Sequence, residues 1–434
     1  MHSLACAIQS LRNGQVTAEA LVDKALARAS SSDLQGNVSF RRLFPEQARQ
    51  KALFWDRQRA LGRMMPPLAG VPFSVKDNFD VKGHVTHAAS HVLNDAPPAQ
   101  TDAPFLEMLH CLGAVLVGQT NMTEFAYSGL GLNRCFGTPL SPIGRQKEMI
   151  AGGSTSGGAV SVAEGMSLFS VGSDTSGSCR IPAACCGMAG YRPTQGVFPG
   201  QGIIPLAPSF DTPGLIAADV PDLVALFEAL NGSEKIAGEG QKLSGTKLLF
   251  PTDTVLAGTD PTVQAHFEQA VAALAQLGAE ITRCPFLFDR IAAELSTSDI
   301  VAYEAFQFHK SHLCSRRGAY DPRIAMRMDQ AQQISFEDHS RTIEHLYRLR
   351  RAADVVLNGF DGVVLPALPI IPPALSQLAD DQSYVRLNGL IIRNTGITNH
   401  LDLPAVSVPI AAATAAKTPV SLQLIGKRNA DHKT

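Results

Sequence analysis

Segments with helical periodicity alternate with short β-rich runs in this chain up to about residue 280, and this order restricts the fold more than any other feature. The predicted helices cover 18–29, 103–112, 156–164, 221–230 and 261–277, and the predicted strands between them cover 70–75, 114–117, 167–172 and 246–250. Strands that are joined by helical crossovers pair in parallel. The pattern therefore predicts an α/β fold in which a mixed, mostly parallel sheet lies between helices.

The pattern changes between about 285 and 385. Long polar helices, such as one predicted over 337–357, and two proline-rich stretches replace the alternation there. No linker with a shift in composition separates this part from the rest of the chain. We therefore predict one large domain over 1–434, within which residues 285–385 form a helical cap that carries substrate specificity.

Two further strands are predicted near the end of the chain, at 405–409 and 420–425. An Ala/Thr-rich connection between them is expected to form a loose hairpin loop. The chain stops soon afterwards at Thr434, which leaves open whether a final helix would follow.

Charge and cysteine content restrict the class of function. A formal net charge of -2 gives no excess of Lys and Arg for binding nucleic acid or an anionic membrane. No apolar run reaches the roughly 18 to 20 residues that cross a bilayer. The 8 cysteines lack disulfide or zinc spacing. We expect a cytoplasmic protein that acts on a small molecule and uses no metal or organic cofactor.

Two glycine- and serine-rich loops, at 152–158 and 172–178, have the most unusual local composition in the chain. Each is expected to lead into a helix of small residues. Glycines leave backbone N–H groups accessible, and such donors stabilise the oxyanion of a tetrahedral intermediate. A serine in such a loop can act as a nucleophile. The phosphate-loop pattern GxxxxGK[ST] and the GxSxG elbow are both missing.

A serine nucleophile needs a base, and here the sequence offers a lysine rather than a histidine. No histidine lies between 111 and 265, whereas Lys76 ends the apolar run 68–75. Burial there would favour the neutral amine, which can accept a proton. Taken alone, a Gly/Ser loop is more often a turn, and a lysine at a strand end is more often a surface residue. The hypothesis depends on their combination.

The chain resembles the amidase signature family in several motifs that together span nearly its whole length. The matching segments are 68–72 with Lys76 and Asp77 after them, 121–126, 151–193, 361–366 and 423–426. The resemblance implies the amidase signature fold and a catalytic triad in which Ser178 attacks the carbonyl carbon, Ser154 relays the proton through a cis peptide bond, and Lys76 is the base.

The resemblance also implies an oxyanion hole made of consecutive backbone N–H groups, those of Thr175, Ser176, Gly177 and Ser178. Ser176 stands where many relatives have glycine, but a backbone donor does not depend on the side chain. Gly153, Asp174 and Arg180 match the same block and are expected to support the loops rather than to take part in the chemistry.

The wall of the substrate pocket is predicted from position in the chain. Tyr127, Gly129 and Leu130 follow a segment shared with the family. Several apolar residues of the cap are expected either to line the pocket or to fill the cap core; they are Tyr303, Phe306, Phe308, Met326 and Met328.

Two groups of residues could suggest other chemistry. Cys179, Cys185 and Cys186 lie next to the proposed nucleophile, and we interpret them as small buried residues that pack the core. His309 and His312 have a spacing that could bind a metal, but no carboxylate accompanies them, and we interpret them as a polar helix face.

The predicted function is an amidohydrolase that cleaves a carbonyl C–N bond of an amide, aryl amide or carbamate through an acyl-enzyme, with a homodimer as one expected assembly. One alternative is the amidase subunit of a tRNA-dependent amidotransferase. Such subunits typically have Gln after the signature arginine, where this chain has Ile181. The other alternative is a catalytically silent member of the family.

Overall fold

The structure, a computed structural model, describes residues 3–232, 243–410 and 418–434. Eleven strands within these residues pair into one sheet. Their bounds are β1 (Phe40–Leu43), β2 (Pro72–Lys76), β3 (Val115–Thr120), β4 (Phe169–Asp174), β5 (Ala189–Arg192), β6 (Thr212–Ala217), β7 (Lys247–Pro251), β8 (Glu280–Cys284), β9 (Gly362–Pro366), β10 (Ala405–Pro409) and β11 (Ser421–Ile425).

Helices lie on both sides of this sheet. Those in the described residues are α1 (Leu4–Arg12), α2 (Ala18–Ala29), α3 (Gly36–Ser39), α4 (Pro45–Ala60), α5 (Pro104–Cys111), α6 (Ser156–Ala163), α7 (Arg180–Cys186), α8 (Val220–Asn231), α9 (Pro261–Gln276), α10 (Phe288–Glu294), α11 (Thr297–Arg316), α12 (Pro322–Asp329), α13 (Phe336–Leu357) and α14 (Asp381–Leu401). Among them, no helix is both long enough and apolar enough to cross a membrane.

The strand order is β1-β3-β2-β4-β6-β5-β10-β11-β9-β7-β8. β2 pairs in parallel with β3 and β4, and β7 pairs in parallel with β8 and β9. The other pairings are antiparallel and outnumber the parallel ones. The α/β class and the mixed sheet are confirmed, but the expectation of mostly parallel pairing needs correction. β6 follows β5 without a helix, so no crossover constrains it to be parallel to its neighbours.

The predicted cap contains four helices, α10 to α13, which end at Leu357. The chain then enters β9, which lies between β11 and β7 in the sheet. The range 285–385 therefore includes a sheet strand as well as cap helices. The hairpin loop predicted after β10 falls mainly on 411–417, outside the described residues, although β10 and β11 do pair antiparallel.

Two large apolar clusters hold the helices against the sheet. One joins α1, α2, α5 and α8 to β2, β3 and β4, with Phe73 and Val117 fully buried. The other joins the cap helices to β7, β9 and β11 and includes Leu249 and Leu365. Strands such as β2, buried at every position, explain the continuous apolar run before Lys76. β2 and β4 are parallel neighbours, so their carboxyl ends, at Lys76 and Asp174, lie at the same edge of the sheet.

Candidate active site

Lys76 occupies the last position of β2, and its side chain is completely buried. Its Nζ lies 2.7 Å from Ser154 Oγ, 2.8 Å from Ser173 Oγ and 3.0 Å from the Ser173 carbonyl oxygen. The Ser173 hydroxyl also accepts a hydrogen bond of 3.0 Å from the Asn78 amide. Burial penalises the ammonium form and lowers the pKa of Lys76 to about 8. Lys76 can therefore lose its proton near neutral pH.

Ser154 lies in the loop that leads into α6. The peptide bond between Gly153 and Ser154 is cis, as the resemblance implies. The Gly153 N–H donates to the Gly129 carbonyl at 2.8 Å, and the Ser154 carbonyl accepts from the Thr123 N–H at 3.0 Å. These bonds fix the loop to the segment that contains the predicted pocket wall.

Ser178 ends the loop between β4 and α7, and 5% of it is exposed. Its carbonyl accepts a hydrogen bond of 3.2 Å from the N–H of Thr155, the residue after Ser154. Because this bond joins the two glycine-rich loops directly, the structure brings Lys76, Ser154 and Ser178 into one region. Their separate roles in the chemistry remain a prediction.

Asp174 and Arg180 form a buried ion pair under the second loop. Arg180 Nη2 lies 2.9 Å from Asp174 Oδ1, and both side chains are fully buried. Arg180 also donates to the Thr395 carbonyl and to the side chains of Gln423 and Asn399. Burial alone would raise the pKa of Asp174, but the charge and hydrogen bonds of Arg180 outweigh it and hold that pKa well below its usual value. The pair therefore stays charged and anchors the loop.

The Asp174 carboxylate also orders the backbone of the predicted oxyanion hole. It accepts from the Gly177 N–H at 2.8 Å and from the Cys179 N–H at 3.1 Å. Among the described residues, the N–H groups of Thr175, Ser176 and Ser178 donate to no protein acceptor. Of the four N–H groups predicted for the oxyanion hole, that of Gly177 is therefore already bound to Asp174. The other three have no acceptor within the described part of the chain and are available to a ligand oxygen.

We expect the substitution Gly177→Ala to lower kcat about a hundredfold or more, because displacing reacting groups by about 1 Å has an effect of this size. Gly177 has a φ of 113°. A Cβ atom there would lie 2.1 Å from Thr395 Oγ1 and 2.5 Å from Thr395 Cβ. Since Thr395 Oγ1 donates to the Ser176 carbonyl at 2.7 Å, the clash would displace the donor loop itself. Steady-state kinetics with the folded variant measures the effect.

Gly196→Ala is the matched control for this substitution. Gly196 also has a positive φ, of 88°, but a Cβ there would meet nothing within 4 Å. It should retain most of the activity. Equal activity of the two variants would show that the Gly177 loop does not position the reacting groups.

A cavity of about 240 Å³ opens beside Ser178. Its wall is formed by the segment 126–129, the loop at 175–178, the cap helices and α14. Tyr127 and Gly129 line it, as predicted from position. Leu130 does not, because its side chain is fully buried in a separate core cluster. This cavity is the candidate substrate pocket.

The apolar cap residues proposed as pocket lining lie elsewhere. Met328 is fully buried in the cap core and Phe306 packs against that core. Tyr303 stacks on His339. Met326 and Phe308 are partly exposed to solvent. The cap contributes other residues to the cavity, among them Phe288, Ile291 and Val301.

Several polar residues of the cavity were not predicted from sequence, among them Arg327 on α12, and Asn388, Arg393 and His400 on α14. Asn388 Oδ1 accepts from the Ser128 hydroxyl at 2.8 Å and from the Gly129 N–H at 2.9 Å. Burial, with nearby Arg350 and Arg192, lowers the pKa of His400 to about 3, so that it is neutral. Asp380, whose side chain caps α14, is the sequence signal that could have located this helix.

The three cysteines next to Ser178 are buried structural residues, as interpreted, whereas His309 does not lie on a polar helix face: its ring packs against Phe125 in the interior. Cys179, Cys185 and Cys186 are buried, and burial raises the pKa of the Cys179 thiol to about 12. His309 is buried and lies 3.0 Å from the Tyr320 hydroxyl. Within the described part of the chain, no group of three or more His, Cys, Asp or Glu residues could hold a metal ion.

Comparison with known proteins identifies the family of this chain. A family model described as Amidase matches residues 20–434. The chain is 32% identical over 439 residues to 2-amino-5-chloromuconic acid deaminase of Comamonas testosteroni. That alignment covers 99% of this chain and 93% of the deaminase. The chain is also 32% identical over 455 residues to a glutamyl-tRNA(Gln) amidotransferase subunit of Synechococcus sp. (strain CC9605), covering 96% and 91%. A crystal structure of an amidase superposes with a TM-score of 0.89 at 29% identity, covering 100% of this chain and 97% of that one.

Proposed function

Since the chain belongs to the amidase family and is a hydrolase of C–N bonds other than peptide bonds, we propose that it acts through an acyl-enzyme on Ser178. Lys76 is the base and Ser154 carries the proton between them. The observation that supports this most strongly is the 2.7 Å contact between Lys76 Nζ and Ser154 Oγ, in a place where burial lowers the pKa of Lys76 to about 8.

The reaction then has two steps. Ser178 Oγ attacks the carbonyl carbon while its proton passes through Ser154 Oγ to Lys76 Nζ. The C–N bond breaks as that proton returns through Ser154 to the leaving nitrogen, which leaves an ester on Ser178. Water then attacks the ester, giving its proton to Lys76 by the same route, and the acid leaves as Ser178 regains a proton.

The negative charge that develops on the carbonyl oxygen needs fixed donors. The free N–H groups of Thr175, Ser176 and Ser178 supply them, and the Asp174–Arg180 pair keeps their loop in place. Removing one such donor from the oxyanion hole of a serine protease costs about 2.7 to 4 kcal/mol of transition-state stabilisation.

The substrate is a small amide, aryl amide or carbamate. A cavity of about 240 Å³ is smaller than the roughly 300 to 1,000 Å³ that is typical of pockets for drug-sized ligands.

A homodimer and a cytoplasmic location belong to the same proposal. All eight cysteines are free thiols, which supports a reducing compartment.

The activity is expected to rise with pH through about 8. The neutral amine of Lys76 is the active form, and its fraction grows as pH rises towards the pKa of about 8. Below that value kcat/KM should increase about tenfold per pH unit, and above it the curve should level off. A pH–rate profile measures this, and a profile that stays flat through about pH 8 is inconsistent with Lys76 as the base.

Ammonia release from benzamide by the purified chain tests the proposal. Added hydroxylamine should intercept the acyl-enzyme and give the hydroxamate, and mass spectrometry should locate the acyl group on Ser178. An amidotransferase subunit would need partner chains for turnover, and a silent family member would release no ammonia and acquire no acyl group.

A further inference from the structure

The cavity beside Ser178 has an unbalanced charge. Of the described residues that line it, none is Asp or Glu, whereas Arg327 and Arg393 both belong to its wall. His400 adds no charge, since its pKa of about 3 keeps it neutral. Most of the remaining wall is apolar, with Leu206, Phe288 and Ile397 among its members. The cavity therefore suits a ligand with an apolar body and a negative charge.

Arg327 is the arginine whose positive charge remains available. Its guanidinium donates to the Tyr127 carbonyl and lies 4.0 Å above the centre of the Tyr127 ring. Within the described residues, no carboxylate forms an ion pair with it. By contrast, Arg323, one turn earlier on α12, pairs with Asp381 at 2.7 Å. An arginine in a pocket wall without an acidic partner can bind a carboxylate through two parallel hydrogen bonds.

Arg393 is engaged elsewhere. Its guanidinium donates to the Ala257 carbonyl at 2.9 Å, to Thr259 Oγ1 at 3.3 Å and to Asn394 Oδ1 at 3.0 Å. These bonds use all three of its nitrogen atoms and direct them to the loop around Ala257 and to the neighbouring Asn394. Arg393 is therefore a matched comparison: it belongs to the same cavity and has the same charge, but each of its three nitrogen atoms already donates to a protein oxygen.

The position of Arg327 couples it to the reacting groups. Arg327 donates to the carbonyl of Tyr127, the first residue of the segment 127–129. The carbonyl of Gly129, the last residue of that segment, accepts a hydrogen bond of 2.8 Å from the N–H of Gly153, which directly precedes Ser154. A ligand group on Arg327 thus rests on the same wall that supports the proton relay. The acyl part of an amide stays bound through both reaction steps, whereas the amine leaves after the first.

We propose that Arg327 binds a carboxylate on the acyl part of the substrate, so that the preferred substrates are small monoamides of dicarboxylic acids. This inference rests on the proposed attack by Ser178, because that attack places the amide carbonyl in the cavity. The carboxylate replaces the acidic partner that Arg327 lacks, and the apolar wall receives the carbon chain.

Binding to the Ser178→Ala variant tests this without turnover. Isothermal titration calorimetry should measure the dissociation constants of succinamate, glutaramate and adipamate. Those of the uncharged butanamide, pentanamide and hexanamide, which have matching chain lengths, should be measured for comparison. For at least one chain length, the acid amide should bind about tenfold more tightly or better, which is typical of a charge-assisted contact. Equal binding of acid and neutral amides, or binding of neither, would overturn the inference. Ammonia release from benzamide by the unmodified chain tests the chemistry separately.

Substitutions on Ser178→Ala identify the group that recognises the charge. Arg327→Met should remove the preference for the acid amide, and Arg327→Lys should restore part of it. Arg393→Met and Arg323→Met should keep the preference. Arg327→Glu should reverse it, so that an amide with an ammonium group, such as 4-aminobutanamide, binds more tightly than succinamate. Reversal depends on charge, and a purely structural role for Arg327 would not produce it. A preference that survives Arg327→Met would overturn the inference.

Discussion

Replacing Ser178 with alanine is expected to lower kcat about 10⁵-fold or more, and Lys76→Met is expected to have an effect of comparable size. Residues that work as one catalytic unit show this behaviour, because the loss of any member stops the same proton transfer. Methionine matches the length of the lysine stem, so Lys76→Met removes the amine that contacts Ser154 and Ser173 and leaves the packing of β2 nearly intact. Single-turnover kinetics with benzamide measures both changes.

Two control variants separate lost chemistry from disturbed structure. Ser156 is the first residue of α6, two positions after Ser154, and its buried hydroxyl has no hydrogen-bond partner in the described residues. Lys82 is exposed, a few residues beyond β2. Ser156→Ala and Lys82→Met should keep activity within about threefold of the original. If Ser178→Ala retained comparable activity, the nucleophile would have to be another group.

Arg180→Met is expected to reduce the free energy of unfolding by about 3 to 5 kcal/mol, as is found when one partner of a buried ion pair is removed. The substitution would leave the Asp174 carboxylate buried without its counter-charge, and would also leave the Gln423 and Asn399 side-chain oxygens without a donor they now share. Urea denaturation followed by circular dichroism measures the change.

The matched control is an ion pair on the surface. Arg341 Nη2 lies 2.7 Å from Asp338 Oδ1, but their side chains are 68% and 56% exposed. Arg341→Met should therefore change the free energy of unfolding by no more than about 1 kcal/mol. If Arg180→Met cost no more than this, the ion pair would not be what anchors the second loop.

The local parts of the fold could be predicted from the sequence. The helix over 18–29 has the predicted bounds, because Thr17 caps it: its side chain accepts from the Ala20 N–H. Lys76 was expected at a strand end because a buried strand produces a continuous apolar run, and β2 is buried at every position. Signals of this kind depend on neighbours in the chain.

Strand direction and the pocket wall depend on distant contacts. β6 pairs with both β4 and β5, and nothing in its own residues indicates that it enters the sheet between them. Arg327 meets Tyr127 across 200 positions in the chain. No periodicity or motif in the sequence indicates a partner at this distance, so Arg327 could not be placed in the pocket wall. Tyr127 and Gly129 could be, because they follow a segment shared with the family.

The ionisation of Lys76 tests the central claim most directly. With lysines labelled by ¹³C at Cε, nuclear magnetic resonance can follow each lysine as pH changes, and Lys76→Arg identifies the relevant signal. The burial that brings Lys76 Nζ to Ser154 predicts a pKa of about 8. A value at the ordinary lysine pKa of 10.5 would mean that the amine stays almost fully charged even at about pH 8, where about half of it should be neutral, and the proposed base would be contradicted.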